Sequence, residues 1–488
     1  MGSDKYDLII VGTGFASTFF LKKYLEKSGP EKRILVLERG RLYPHKDRIQ
    51  TVRGNKPLYA NELETTESTY ITTKSSKPWI FDVNFGGSSN CWWACTPRFM
   101  PSDFHIKTLY GIGQDWPISY NDLEPYYCEA EDIMGIAGPE HTPFPKSKKY
   151  PYPAHPLNKI DKTMQDTFGL SQWISQPAGR PPVAVKDRSM CCSSYTCNLC
   201  PVDSKFSIEN SLQHLYKDPR VELKYGLQVF KIEFENGLAK SVIAAPVKSD
   251  PANFKSQRFE GEVIALGANP IFNAHILLNS GDTHPLTGRG IGEQQGIFAD
   301  VHLKHLDNVG GNSSITANGY MLYEGAFRKE YASCLMENHN RPTLLRNEKG
   351  KWRKIVKLKF VFETIPDNNN RVKCGDNIFK PVVEYKEQEN GYVDKGRAAM
   401  SRQLKNLVAP LDPEGVFIDS EYIKTECHIL SAVRMGTSSK DSVVDKSLIH
   451  HNYRNLFVLG GSSFPSISAA NPTLTLSALS LMSADTNF

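Results

Sequence analysis

The first 38 residues constrain the fold most strongly. Residues 6–11 form an apolar run interrupted only by Asp7, and the glycine-containing segment 12–17 and a helical pattern over residues 17–25 follow it directly. A second strand pattern over residues 33–37, apolar after Arg33, ends at an acid, Glu38. Apolar runs of this kind are typical of strands buried on both faces of a parallel sheet. The order strand, glycine turn, helix, strand, acid therefore predicts a dinucleotide-binding fold.

Each position in this segment has a physical role. Gly12 would make the tight turn, and Gly14 would let the backbone approach a pyrophosphate at a helix N-terminus. Glu38 follows Gly14 by 24 residues and would accept hydrogen bonds from a ribose. Ser17 replaces the third glycine of the usual pattern with another small residue. A tight structural turn is the alternative interpretation, and the motif alone leaves NAD(P) and FAD both open.

Composition narrows the class of protein. The 488 residues predict two to four domains or one interleaved pair, and 40% apolar with 23% charged residues is an ordinary globular composition. The net charge of +5 is too small to predict nucleic-acid binding. Neither a run of 18 apolar residues nor a signal-peptide pattern is visible, so we expect no transmembrane segment and a cytoplasmic location. Export to the periplasm together with a partner subunit is the alternative.

Two further segments have patterns that are typical of cofactor binding. Residues 84–99 contain Gly86-Gly87-Ser88, where the backbone can lie flat against a planar ring system. Residues 455–475 predict a strand that ends at a glycine pair, followed by a helix beginning near Asn471-Pro472-Thr473. Proline suits the first turn of a helix, and the helix N-terminus is a second anion site.

With these segments the sequence resembles the glucose–methanol–choline (GMC) family of FAD-dependent oxidoreductases, and most closely its pyranose oxidases and its sugar and glycoside dehydrogenases. Residues 228–232, 263–267 and 428–436 also match, in family order. The resemblance implies FAD as the cofactor. It implies that the cofactor-binding residues are Gly12, Gly14, Phe15, Glu38, Gly86, Gly87, Ser88, Asn90, Cys91, Trp92, Trp93, Val229, Gly267, Gly461, Ser462, Pro472 and Thr473.

The same resemblance implies an α/β fold with two interleaved domains. A Rossmann-like FAD-binding domain would use residues 1–105, 188–290 and 440–488. An α+β substrate-binding domain would use residues 106–187 and 291–439 and would contain an antiparallel sheet. The sequence supports the second part independently, because residues 357–363 alternate with period two.

Oxidising an alcohol with a flavin requires a base for the hydroxyl proton and a polar group that orients the hydroxyl. The resemblance places these roles on His428 and Asn471. Histidine can accept a proton near neutral pH, and asparagine can both donate and accept while uncharged. A buried histidine with a purely structural role is the alternative for His428. We interpret His450 and His451 as structural.

Cys91 falls where pyranose oxidase and choline oxidase carry a histidine bonded covalently to the flavin. Cysteine forms such a link in other flavoproteins, but we favour a non-covalent FAD with a small buried thiol beside the ring. Trp93 falls where pyranose oxidase carries a threonine, and a tryptophan there would crowd the flavin.

Cys191, Cys192, Cys197 and Cys200 lie within ten residues. Thiolates select zinc or iron–sulfur clusters, and one compact loop ending in Cys-Pro favours an iron–sulfur cluster over zinc. A disulfide or free thiols are the alternatives. A cluster would pass electrons from the flavin to a redox partner or small subunit.

Three function classes follow. The first is FAD-dependent oxidation of a sugar or glycoside hydroxyl to a ketone, with hydride transferred to the flavin N5, as a dehydrogenase or an oxygen-using oxidase. The second is a non-redox, lyase-like family member, and the third is a structural subunit. His428 and Asn471 argue against the third class, and the dehydrogenase is favoured.

Overall fold

The computed structural model of the protein describes residues 5–54, 66–185, 187–340, 352–386 and 391–488. Its strands are β1 Tyr6–Val11, β2 Ile34–Leu37, β3 Ile71–Thr73, β4 Ala137–Gly138, β5 Tyr152–Pro153, β6 Trp173–Ser175, β7 Val221–Lys224, β8 Leu227–Glu235, β9 Leu238–Pro246, β10 Gln257–Leu266, β11 Arg289–Gly292, β12 Gln295–Leu303, β13 Ile315–Gly319, β14 Cys334–His339, β15 Ile355–Phe362, β16 Arg371–Lys373, β17 Val382–Glu384, β18 Pro413–Ile418, β19 Leu430–Ala432 and β20 Leu456–Val458. Its α-helices are α1 Phe15–Lys27, α2 His45–Arg53, α3 Ile106–Tyr110, α4 Tyr120–Met134, α5 Lys159–Phe168, α6 Pro270–Asn279, α7 Tyr392–Val408 and α8 Thr473–Asn487.

A seven-stranded sheet contains the N-terminal motif. Strands β7, β2, β1, β10 and β20 are parallel neighbours in that order, and β9 and β8 extend the sheet from β10 in antiparallel fashion. Every residue of β2 is buried, as the apolar run predicts for a strand covered on both faces. Helices α1 and α8 pack against each other beside this sheet, and both begin near the carboxyl ends of its parallel strands.

A second, six-stranded sheet is antiparallel throughout, in the order β18, β12, β15, β14, β13, β6. The structure confirms the period-two alternation predicted over residues 357–363. Val356, Leu358, Phe360 and Phe362 lie in one apolar core, which also contains side chains of α5 and α7. The intervening residues of β15 therefore face the other side of the sheet.

A third sheet, β19-β11-β16-β17-β3, was not anticipated from the sequence. It joins a strand near residue 72 to strands near residues 290, 372, 383 and 431, so it combines segments assigned to both predicted domains. The boundary predicted at residue 290 falls inside β11. Within the described ranges, no helix has the length and apolar character needed to cross a membrane.

Candidate functional site

A deep cavity lies between the seven-stranded sheet and the six-stranded sheet, and the glycine turn after β1 forms one end of it. Gly12 has a φ of +92°, and a Cβ there would lie 2.8 Å from the Gly267 carbonyl oxygen. Gly14 is the N-cap of α1, and a Cβ added to it would meet no atom within 4 Å. The first glycine is thus required by the turn, whereas the second leaves open space in the cavity at a helix N-terminus.

Glu38 lies at the end of β2 and lines the same cavity. Its Oε2 accepts a hydrogen bond from Thr13 Oγ1 at 2.6 Å, and its Oε1 accepts one from the Gly40 backbone N–H at 2.7 Å. Burial raises the pKa of this carboxyl, while these two hydrogen bonds lower it. A carboxylate oxygen can accept more than one hydrogen bond, so both oxygens could still accept from a ribose hydroxyl.

Most predicted cofactor residues meet at this cavity. Those that line it are Gly12, Gly14, Phe15, Glu38, Gly87, Ser88, Cys91, Trp92, Trp93, Val229, Gly267, Gly461, Pro472 and Thr473. Three do not line it. Gly86 supports the turn with a φ of +87°, Asn90 donates its side-chain amide to the Phe85 carbonyl, and Ser462 accepts from Asn273 inside the protein.

This arrangement fits FAD. The open space at Gly14 suits a pyrophosphate, the acid at the end of β2 suits a ribose, and the N-terminus of α8 opens into the cavity at Pro472 and Thr473. Gly87 brings a second backbone against the first turn, because a Cβ there would lie 3.2 Å from Gly14 Cα. These elements would hold an extended dinucleotide along the carboxyl edge of the parallel strands.

The predicted aromatic residues border the cavity with their rings held by neighbours. Trp92 donates its Nε1–H to the Phe206 carbonyl at 2.8 Å and packs edge-on against Phe15. The Trp93 ring lies 5.2 Å from the ring of His339. Burial raises the pKa of the Cys91 thiol to about 12, so this sulfur is neutral near pH 7.

His428 also lines the cavity, and Gln294 holds its ring. Gln294 Nε2 donates to the carbonyls of Ser468 and Ala470 at 2.9 and 3.0 Å, which fixes the orientation of the amide. Gln294 Oε1 is therefore an acceptor, 3.1 Å from His428 Nδ1. The proton of a neutral His428 must then be on Nδ1, which leaves the Nε2 lone pair as a proton acceptor.

Glu293 holds the backbone of the same segment. Its Oε2 accepts from Thr425 Oγ1 at 3.0 Å and from the His428 N–H at 3.3 Å, and its Oε1 accepts from the Glu426 N–H at 3.1 Å. The buried Lys77 ammonium forms an ion pair with this carboxylate. Glu293 and Gln294 lie at the junction between β11 and β12, so the end of one sheet and the start of another position the histidine.

The electrostatic environment keeps His428 neutral. Burial lowers its pKa to about 3, and the positive charge of Lys359 contributes to the shift. Above this pH the imidazole is neutral and carries a free lone pair. Asn471 lines the same cavity, and its buried Oδ1 has no hydrogen-bond partner within the described ranges. The structure thus brings the two predicted catalytic side chains to one cavity.

Sequence reasoning missed four charged or polar residues near this histidine, namely Glu293, Gln294, Lys359 and Glu426. No sequence motif surrounds Glu293 and Gln294, because their role depends on the junction between two sheets. The alternation of residues 357–363 was a usable signal for Lys359, since it placed this lysine on the face opposite the apolar core. Glu426 lies two residues before His428 and was not singled out.

The cysteine loop does not form the predicted metal site. Across the described residues, no three His, Cys, Asp or Glu side chains are grouped so that they could hold a metal ion. Cys197 Sγ instead lies 2.9 Å from Ser313 Oγ, and Cys200 Sγ accepts from the Ser204 N–H at 3.3 Å. All ten cysteines are described, and none is in a disulfide. The described side chains therefore give no support to the predicted iron–sulfur cluster.

Comparisons with known proteins indicate one family. Residues 393–480 match the profile of the GMC oxidoreductase family. The chain is 27% identical to the fructose dehydrogenase large subunit of Gluconobacter japonicus over 98% of this chain and 97% of that one. It is 24% identical to the pyranose 2-oxidase of Lyophyllum shimeji over 80% of this chain and 68% of that one.

The fold agrees as well. The structure of pyridoxine 4-oxidase from Mesorbium loti superposes with a TM-score of 0.66 over 99% of both chains, at 15% identity. The family profile covers the segment that carries His428 and Asn471, and the fructose dehydrogenase relative extends the similarity over nearly the whole chain. The chain is therefore similar to GMC oxidoreductases, in residues 393–480 by the family profile and over nearly its whole length by the fructose dehydrogenase relative.

Proposed function

We propose that the protein oxidises a ring hydroxyl of a sugar or glycoside to a ketone, with FAD as the hydride acceptor. The observation that carries the proposal is the Gln294–His428 hydrogen bond, because it leaves a neutral imidazole nitrogen as a proton acceptor at the cavity. Relatives named for fructose and pyranose oxidation support a sugar as the substrate class.

The chain's own residues would act on the hydroxyl. His428 Nε2 would accept the hydroxyl proton, and the Asn471 side chain would hydrogen-bond the same oxygen and fix its orientation. FAD, when bound, accepts the hydride from the carbon, so that the carbon–oxygen bond becomes a carbonyl. The product would leave as a ketone, with the proton on His428 released to solvent above its low pKa.

The electron acceptor distinguishes two versions of this function. We favour a dehydrogenase that passes electrons to a partner protein, because the relative from Gluconobacter is named as the large subunit of a dehydrogenase. An oxygen-using oxidase is the second candidate, and the pyranose 2-oxidase relative supports it. A non-redox activity, as in lyases, uses no net electron transfer and would leave the flavin oxidised.

Anaerobic flavin reduction tests the proposal. The purified holoprotein is mixed with D-fructose, D-glucose, a methyl glycoside or a simple alcohol, and the flavin absorbance is followed. We expect bleaching with at least one sugar or glycoside, and persistent oxidised flavin with every one of them would overturn the proposal. Admitting oxygen or an artificial dye afterwards then separates the two versions, because an oxidase is reoxidised rapidly by oxygen alone.

A further inference from the structure

A short segment from Ser468 to Ala470, which we call the carbonyl segment, directly precedes Asn471. Its Ser468 and Ala470 carbonyls accept from Gln294 Nε2 at 2.9 and 3.0 Å. Gln294 Oε1 in turn lies 3.1 Å from His428 Nδ1. The hydrogen bond made at one ring nitrogen decides which nitrogen carries the proton. The tautomer of His428 therefore depends on what holds the carbonyl segment in place.

The Ser468 side chain fastens this segment to a buried carboxylate. Its Oγ donates to Asp103 Oδ2 at 2.9 Å and accepts from the Ala470 N–H at 3.3 Å. Tyr323 Oη lies 2.6 Å from the same Oγ and also donates to Asp103 Oδ2, at 2.8 Å. One hydroxyl thus contacts both ends of the carbonyl segment, that is, the two residues whose carbonyls orient Gln294.

Asp103 is itself held by charged hydrogen bonds. Arg328 Nη2 donates to Asp103 Oδ1 at 2.9 Å, and the Met100 N–H donates to Asp103 Oδ2 at 2.9 Å. The same guanidinium donates to both oxygens of Glu363, at 3.0 and 2.6 Å. All three charged side chains are buried. Charged hydrogen bonds are stronger than neutral ones, and a low local dielectric strengthens them further, so Asp103 is a fixed anchor for Ser468.

A second serine of the same chain segment offers a comparison. Ser466 is 3% exposed and Ser468 is 2% exposed, so their burial is equal. Ser466 Oγ accepts from Trp116 Nε1 at 2.7 Å and donates to the backbone carbonyl of Asp103 at 3.5 Å. Neither of these bonds reaches the carbonyl segment. Two neighbouring buried hydroxyls therefore differ in whether they contact the groups that orient Gln294.

We propose that Ser468 is a positioning residue that sets the tautomer of the candidate base, with Asp103 as its anchor. Ser468 acts through Gln294. Its hydroxyl holds the two carbonyls, the carbonyls orient the amide, and the amide oxygen keeps the imidazole proton on Nδ1. His428 Nε2 is then free to accept the proton of a substrate hydroxyl. This inference rests on the proposed oxidation and adds how the base is kept in its reactive tautomer.

Loss of the Ser468 hydroxyl has a defined consequence. Without it, the Ala470 N–H loses its acceptor, and the two carbonyls can move away from Gln294. The amide can then turn over and present its N–H to His428 Nδ1. An imidazole whose Nδ1 accepts a hydrogen bond carries its proton on Nε2, so it cannot take a second proton there while neutral.

The test reads the tautomer separately from the reaction. NMR of oxidised holoprotein that carries isotope-labelled histidine shows which ring nitrogen is protonated, and His428→Ala identifies the signal. Anaerobic flavin reduction with D-fructose or D-glucose, over a range of sugar concentrations, gives the maximal rate and the half-saturating concentration. The variant is Ser468→Ala, and Ser466→Ala is the matched control. Tyr323→Phe is a milder second variant, because it removes one donor to Asp103 and leaves the Ser468 hydroxyl.

We expect the proton on Nδ1 of His428 in the wild type and in Ser466→Ala. Ser468→Ala should populate the form with the proton on Nε2. Its maximal rate of flavin reduction should fall about 5- to 50-fold, and its half-saturating concentration should change by less than about twofold, since orientation of the base is lost but not binding. Tyr323→Phe should shift both readouts less, in the same direction. Unchanged FAD content and melting temperature verify folding, and Tyr323→Phe carries the test if Ser468→Ala does not fold.

Three outcomes would overturn the inference. They are a wild-type His428 with its proton on Nε2, an unchanged tautomer in Ser468→Ala whatever its rate, and an equal change in Ser466→Ala. The last would mean that any loosening of this chain segment has the same effect. A wild-type flavin that no sugar reduces would contradict the proposed function instead. The tautomers of the variants would still decide the role of Ser468, because they are measured without substrate.

Discussion

Two buried polar groups contact side chains that line the cavity, and they differ in how completely they are hydrogen-bonded. The first, which we call the histidine clamp, consists of Glu293 and Gln294, whose side chains are occupied by Lys77 and by groups of residues 425–428 and 468–470. The second, which we call the acid–lysine cluster, consists of Glu337 and Glu426 paired with Lys359, and one oxygen of Glu426 has no hydrogen-bond partner among the described residues. Complete pairing fixes a side chain in place. The unpaired Glu426 oxygen is instead packed against Gly296, where a Cβ would lie 1.8 Å from it.

The two carboxylates show this difference most directly. Glu293 is buried and accepts three hydrogen bonds in addition to its lysine, so its interactions are internal to the protein. Burial raises the pKa of Glu426 to about 7, with Lys359 opposing the shift and Glu337 and Glu293 adding to it. The clamp thus holds the ring of His428, and the cluster places the charge of Lys359 near the same ring. The predictions below begin with the first of these two roles.

The largest effect should come from removing the clamped base. We expect His428→Ala to slow anaerobic flavin reduction by about 10²- to 10⁴-fold, because the hydroxyl proton loses its acceptor. Stopped-flow absorbance at saturating sugar measures this rate. The control is His305→Ala, since His305 is exposed. Equal rates in the two variants, with FAD bound in both, would remove His428 from the reaction.

Breaking the clamp while leaving the base in place should have a smaller effect. Gln294→Leu removes the acceptor that holds His428 Nδ1–H, and we expect kcat to fall about 10- to 100-fold with little change in KM. Gln294→Glu places a carboxylate beside the ring, which favours the imidazolium and raises the pKa of His428 from about 3. The acidic limb of the kcat/KM profile should then move up by about one to three pH units.

A purely structural role of Gln294 would not move this pH profile. The matched control is Gln257→Glu, which adds the same charge at an exposed position of β10. A profile that is unchanged in Gln294→Glu, or changed equally in the control, would contradict the assignment of Gln294 as a positioning residue.

The sequence predicted the parts of this molecule that depend on local patterns. The strand, turn and helix around Gly12 and Gly14 follow from spacing and from a backbone that only glycine permits. The alternation of β15 predicted which of its residues enter the apolar core. Each of these two patterns lies within about 40 consecutive residues, so local backbone geometry determines which secondary structure forms.

The sequence could not predict contacts made between distant segments. Gln294 reaches His428 across 134 positions of sequence, and Lys359 reaches Glu426 only because β15 lies beside that loop. The cysteine loop is the opposite case. The close spacing of its thiols in sequence predicted a shared metal site, which the side-chain positions do not support. Short separation in sequence permits a cluster but does not impose one.

The smallest effect concerns Cys91, which belongs to neither group but borders the cavity from the glycine-rich side. A thioether to the flavin requires a thiolate, and burial keeps this thiol neutral near pH 7. We therefore expect acid precipitation to release all of the FAD, and Cys91→Ser to leave both the FAD content and the rate of flavin reduction nearly unchanged. Flavin that remains with the wild-type precipitate but is released from Cys91→Ser would demonstrate a covalent bond. The protein would then hold its cofactor by a covalent bond at Cys91 as well as by the turn at Gly14, and the description of this thiol as neutral and unreactive would be wrong.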